Sequence, residues 1–152
     1  KKYRDEKIAH FFLELHKKGM CEVELKDDCQ RCNKDICELA NCVYPDLPKS
    51  KSLNNKKTDH DGIFFIKREQ VKDYIETYKP VILRHNKSAD TLGYGAINYG
   101  MTKGSTFPRV LIFPTERMKK FLKTRKSSDA GDKAKLYVAI TRAMHSVAFV
   151  ID

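Results

Sequence analysis

The stretch 135–150, KLYVAITRAMHSVAFV, changes periodicity partway along its length. Leu136, Ala139, Ile140 and Ala143 recur at the three- and four-residue spacing of an amphipathic helix, which predicts a helix over about 133–143. The run SVAFVI at 146–151 is almost wholly apolar and reads as a strand. Arg142 falls on the predicted helix, so the apolar face would hold its backbone rigid against a sheet while the guanidinium reaches outward.

Working outward, the same alternation recurs. RVLIF at 109–113 reads as a strand, followed by a helix carrying Met118, Phe121 and Leu122 and a basic loop to Asp132. IFFI at 63–66, a helix with Val71, Tyr74, Ile75 and Tyr78, and VILR at 81–84 form a strand–helix–strand unit with Pro80 at the junction. Glycines 93, 95, 100 and 104 mark the connection that follows. Upstream, Ile36, Leu39, Ala40 and Val43 stripe one helix. Ile8, Phe11, Phe12 and Leu15 stripe another over about 5–18, stopped by Gly19, with CEVEL at 21–25 strand-like after it. The segment 44–62, rich in Pro, Ser, Asn and Lys, reads as an exposed connection. Short apolar strands alternating with helices predict an α/β fold, a mainly parallel sheet covered by helices on both faces.

The chain has 152 residues, enough for one domain with a core of its own. Thirty Lys+Arg against twenty Asp+Glu leave a formal charge of +10, which suits a polyanionic neighbour. No apolar run approaches the ~20 residues of a membrane span, and the charged start KKYRDEK lacks a signal-peptide core. The expected setting is therefore cytoplasmic, with no membrane partner. Five cysteines at 21, 29, 32, 37 and 42 are an odd, crowded set, unlike a secreted disulfide framework. Four of them could close a zinc site, but the spacing lacks two clean pairs and Cys32, Cys37 and Cys42 point at scattered angles around a helix. The reading is buried or half-buried thiols and no metal. His60-Asp61-Gly62 reads as a turn before a strand, and His10, His16, His85 and His145 form no ligand cluster. The basic run Arg117, Lys119, Lys120, Lys123, Arg125 and Lys126 fits a solvated face or a phosphate contact.

Three segments carry more than pattern. KLYVAITRAMHSVAFV resembles motif VI of the UvrD/Rep-like superfamily 1 helicases, in which a YVAxTRA helix presents an arginine to ATP. NYGMTKGSTFPRVLIFPT at 98–115 is similar to motif V, and CQRCNKDICELAN at 29–41 to motif IV. The resemblance implies a RecA-like three-layer sandwich over 1–152, the second RecA-like domain of a longer helicase. Residues 1–28 would be the segment linking motif III to motif IV, and 29–152 would hold motifs IV to VI. It implies a 3′ to 5′ motor acting on single-stranded DNA. It also implies an N-terminal RecA-like domain of the same full-length chain that binds most of the ATP and Mg²⁺.

The chemistry of the matched residues agrees with that assignment. Phosphoryl transfer spreads negative charge over the γ-phosphoryl oxygens, and a fixed, always-ionised guanidinium neutralises it better than a mobile lysine. Arg142 is the first candidate and Arg31 the second, both catalytic by resemblance. Lys103, Gly104, Thr106, Tyr137 and Thr141 would line the ATP. Asn98, Tyr99, Gly100, Met101 and Thr102 would face the DNA, with Tyr99 either a stacking platform or a packing residue. The family usually has glutamate where Thr106 stands and histidine at or near Gly100, which leaves ribose discrimination open. The sequence holds no G-x-x-x-x-G-K-[ST] and no Walker B acidic pair ahead of motif IV, so the chain alone should not hydrolyse ATP. The other reading is a non-catalytic nucleic-acid or partner-binding module on a degenerate helicase fold.

Overall fold

The computed structural model describes residues 6–24 and 26–151. Its centre is a five-stranded sheet of β3 (Gly62–Lys67), β4 (Val81–Arg84), β5 (Ile97–Asn98), β6 (Phe107–Phe113) and β7 (Ala143–Ile151). The order is β3-β7-β6-β4-β5 and every pairing is parallel. A parallel sheet needs a crossover for each strand and so carries helices on its faces, which is why its strands are apolar on both sides. In β6, Val110 and Ile112 point to one face while Leu111 and Phe113 point to the other. Val147 and Phe149 of β7 likewise oppose Ala148 and Val150.

On the first face, α2 (Lys34–Val43), α4 (Glu116–Thr124) and α5 (Lys133–Ile140) bury Ile36, Leu39, Val43, Met118, Phe121, Leu136 and Ile140. On the second face α3 (Val71–Tyr78) buries Val71 and Tyr74. The expected three-layer α/β architecture is the one observed. His60 belongs to the second core, stacked between Phe64 (3.8 Å) and Tyr78 (3.7 Å) with Nε2 2.9 Å from the Tyr74 hydroxyl.

Four local expectations change. The helix of residues 133–143 stops at Ile140, because the Thr141 hydroxyl bonds back to the Tyr137 carbonyl (2.8 Å) and the Arg142 carbonyl accepts the Phe107 amide (2.8 Å), drawing the chain into the sheet. Arg142 therefore sits in the helix-to-strand turn, and Ala143 opens β7. Residues 21–24 are not a strand, and Leu25 lies outside the described residues. A two-residue strand β1 (Asp28–Cys29) forms instead and pairs in parallel with β2 (Lys51–Ser52). The connection over 44–62 is mostly exposed, as expected, but it is pinned: Asn41 brackets Ser50 through both its amide groups, at 3.0 and 3.1 Å.

α1 (Glu6–Lys17) ends as the sequence predicts, at Gly19 with φ +69°, but its apolar stripe belongs to neither core. Ile8 and Phe12 are 46% and 51% exposed. Among the described residues no helix is long and apolar enough to cross a membrane.

Candidate nucleotide site

The turn between α5 and β7 gathers most of the residues that the sequence singled out. Arg142 is 9% exposed, and its guanidinium binds its own chain. Nε donates to the Val138 carbonyl (3.1 Å), Nη1 to the carbonyls of Thr102 (3.3 Å) and Ser105 (3.2 Å), and Nη2 to the Thr141 hydroxyl (3.2 Å). The expectation that its tip reaches outward is thus corrected. The turn points the side chain back over the 102–105 loop, whose carbonyls need a donor. Burial, then the nearby Arg31 charge, lowers the Arg142 pKa from its ordinary value.

Arg31 approaches the same turn from the other side. Its Nη1 donates to the Thr141 carbonyl at 3.1 Å, and that is its one side-chain hydrogen bond among the described residues. Among the described residues neither arginine has a carboxylate partner there. Two guanidiniums sharing one turn without a counter-charge make an anion site by composition, and the spare N–H donors of Arg31 have the geometry for phosphate oxygens. No carboxylate pairs with them, so Mg²⁺ ligands would have to come from elsewhere.

The backbone of Arg31 is held by residues that sequence reasoning missed. Asn54 Nδ2 donates to the Arg31 carbonyl (2.7 Å) and the Ser52 hydroxyl to the Cys32 carbonyl (2.7 Å). Asn33 caps α2 by accepting the Ile36 amide (3.1 Å), and its Nδ2 donates to the His145 carbonyl (2.6 Å). Asn33 is legible as an N-cap just before a periodic helix. Ser52 and Asn54 carry no local signal, since their partners lie about twenty residues away.

Lys103, Gly104 and Thr106 are exposed on the loop that Arg142 ties down, and Gly104 takes φ +91°, a conformation that favours glycine. Thr102 Oγ1 donates to the Tyr99 carbonyl (2.7 Å), and the Ser105 amide to the Thr102 carbonyl (3.0 Å), so the loop is rigid up to its exposed tip. Tyr137 is half-buried, with its ring edge-on to Tyr44 at 5.7 Å.

The strand-facing set divides. Tyr99 is fully buried, and its hydroxyl donates to the Phe113 carbonyl (2.6 Å), so it cannot serve as a stacking platform: its ring fills the space beneath the ends of β4 and β6. Thr102 is 1% exposed and equally internal. Gly100 and Met101 are exposed, Met101 at 76%, and Asn98 accepts from Arg84 Nε at 3.1 Å. Beyond the carboxyl ends of β4, β6 and β7 lies a cavity of about 370 Å³ lined by residues including His85, Asn86, Ser88, Thr115 and Lys119. Parallel sheets place ligands at this end, and that topology was the one signal by which sequence reasoning could have found the cavity.

A parallel sheet between two helical layers, with basic side chains converging at loop ends, defines a RecA-like α/β domain. Residues 2–151 match the model of the viral superfamily 1 RNA helicase core domain, and the chain belongs to that family. In structure it is similar to the PRRSV helicase, with a TM-score of 0.56 at 21% identity over 88% of this chain and 24% of that one. The arterivirus nonstructural protein 10 helicase gives a TM-score of 0.55 at 19% identity, covering 91% and 28%. Its complex with DNA gives 0.51 at 19% identity, covering 82% and 25%. This chain thus spans about a quarter of the length of the solved helicases it matches. No curated protein sequence matches it.

Proposed function

We propose that this chain is the second RecA-like motor domain of an ATP-driven helicase, with Arg31 and Arg142 completing a nucleotide site whose phosphate loop and Mg²⁺ ligands lie in a preceding domain. The observation that carries this reading is the pair of guanidiniums on the Thr141 turn, which has no carboxylate to neutralise it among the described residues. Arg31, with one N–H committed, meets the γ-phosphate first. Arg142 exchanges a loop carbonyl for phosphate as the two domains close, which couples nucleotide binding to the 102–106 loop. That loop leads back to Gly100, Met101 and Asn98, so closure and reopening reach the nucleic-acid side.

The strand runs past Asn98, Gly100 and Met101. Its polarity, 3′ to 5′ in the UvrD/Rep-like reading, is measured on duplexes tailed at one end or the other. All five cysteines are free thiols, which suits work in the cytoplasm.

The test is steady-state ATP hydrolysis by the full-length protein, with and without single-stranded DNA or RNA, in wild type and Arg142→Ala. Strand-stimulated turnover that the substitution abolishes supports the motor. The exposed Thr106 and Gly100, where the helicase pattern has glutamate and histidine, favour a second reading as a binding module. Strand binding without turnover in wild type would establish that one instead.

A further inference from the structure

β3 is an end strand of the sheet, and among the described residues it pairs with β7 alone. A strand in that position turns the N–H and C=O groups of alternate residues away from the ladder, where a further strand can pair with them. Among the described residues no hydrogen bond from outside the ladder reaches the backbone of residues 62–66; at Lys67 the amide donates to Gln70 Oε1 (3.1 Å). The features that commonly blunt such an edge are missing from its middle. Residues 63–66 are Ile-Phe-Phe-Ile, with neither charge nor proline.

Beside this edge the first face of the sheet is incompletely covered. Phe65 is the register partner of Phe149 and their rings stack at 6.2 Å, yet Phe65 is 45% exposed. With Ile151 and Leu122 it lines a groove of about 490 Å³ that also takes in Glu116, Lys119, Lys120 and Lys123 of α4. Lys119 pairs with Glu116 (2.9 Å) and Lys120 with Asp129 (2.7 Å), whereas Lys123 has no carboxylate partner among the described residues. The groove is thus an apolar patch bordered along α4 by three lysines and one glutamate.

We propose that this corner of the domain docks an acidic, extended segment of a partner protein, which adds a strand to the open edge of β3. Main-chain bonds to residues 62–66 supply the register, and side chains pointing to the first face supply the selectivity. A large apolar side chain on that face lies against Phe65 toward the groove, and carboxylates on either side of it meet the α4 lysines, Lys123 first because it is unpaired. Two other occupants fit less well. A second copy of this chain would bring the same lysines together. A nucleic-acid strand would meet the lysines but cannot continue a ladder of backbone amides and carbonyls. The proposal is independent of the nucleotide-site reading.

The test measures fluorescence anisotropy of a labelled peptide, Thr-Glu-Thr-Phe-Thr-Glu-Thr, titrated with the full-length protein. As a strand this peptide presents Glu, Phe and Glu on one face and β-branched threonines on the other. Saturable binding is expected, weakened by about tenfold in Phe65→Ser and in Lys123→Glu. The same peptide with lysine in place of glutamate should not bind. Peptide addition should also protect the backbone amides of residues 63–66 from hydrogen exchange. Phe65 packs on Phe149, so its substitution can loosen the fold; Lys123→Glu, at an exposed and unpaired position, tests the groove without that cost. No binding by wild type, binding that both variants keep, or binding without protection of 63–66 would overturn the proposal. So would a labelled oligothymidine that competes with the peptide and is weakened by the same two substitutions, which would make the groove a strand contact. A wild-type dimer that Phe65→Ser and Lys123→Glu both dissociate would overturn it in favour of a second copy.

Discussion

At the scale of single residues, Arg142 ties down the 102–105 loop and, in the proposed reading, also meets phosphate, so its substitution tests both roles. It donates to the carbonyls of Thr102, Ser105 and Val138, and removing those bonds from a buried site costs about 1–3 kcal/mol. Phosphate-directed arginines contribute about 10³-fold or more to turnover. Arg142→Ala should therefore lower the urea midpoint of this domain and, in the full-length protein, reduce ATP turnover by about 10³-fold. Arg31→Ala, which gives up one bond from a half-buried position, should lose turnover with little change in the urea midpoint. Comparing the two variants separates structural support from chemistry. His60 supplies a pH prediction. Burial between Phe64 and Tyr78 holds its pKa below the ordinary value. The unfolded chain then binds the proton more readily than the folded one, so the contribution of His60 is intact above about pH 6.5 and is lost as pH falls through the depressed folded value. The thermal midpoint should drop on acidification from pH 7 to pH 5 more in wild type than in His60→Phe, as followed by calorimetry.

At the scale of elements, α2 is the part on which the candidate site depends most. Its N-cap, Asn33, holds the first turn through Ile36 and the start of β7 through His145, so one side chain fixes the helix that follows Arg31 and the strand that follows Arg142. Asn33→Ala should destabilise the domain by about 1–2 kcal/mol, read from chemical denaturation, and should raise the nucleotide concentration needed for half-maximal turnover. Asn33→Asp keeps the acceptor for Ile36 but loses the donor to His145, and an intermediate loss is expected. The paired strands β1 and β2 add a second brace, because they bring Ser52 and Asn54 against the carbonyls of Cys32 and Arg31.

At the scale of the whole molecule, the proposed binding of a nucleic-acid strand by a domain with a formal charge of +10 should depend on released counterions. Affinity of the full-length protein for single strands should fall linearly with salt on logarithmic axes. Arg84→Gln, beside Asn98, should reduce that slope by about one if Arg84 touches a phosphate. This chain on its own should bind strand without turning over ATP, because its sequence lacks a phosphate loop. Turnover by the isolated chain would show a nucleotide site of another kind.

What the sequence determined alone were features with a local period or a local cap. Apolar runs of strand length and three- and four-residue stripes are enough to set out β3, β4, β6, β7 and the helices between them, and motif spacing brought Arg31 and Arg142 forward as a pair. Tertiary structure decided what depends on partners far along the chain. The ladder bond from Phe107 ended α5 before Arg142, the loop carbonyls turned that guanidinium inward, and the space under β4 and β6 took Tyr99 out of reach of any base. Periodicity shows which face of an element is apolar. Only packing shows which polar groups are left needing a partner, and those groups hold Arg31 and Arg142 in place.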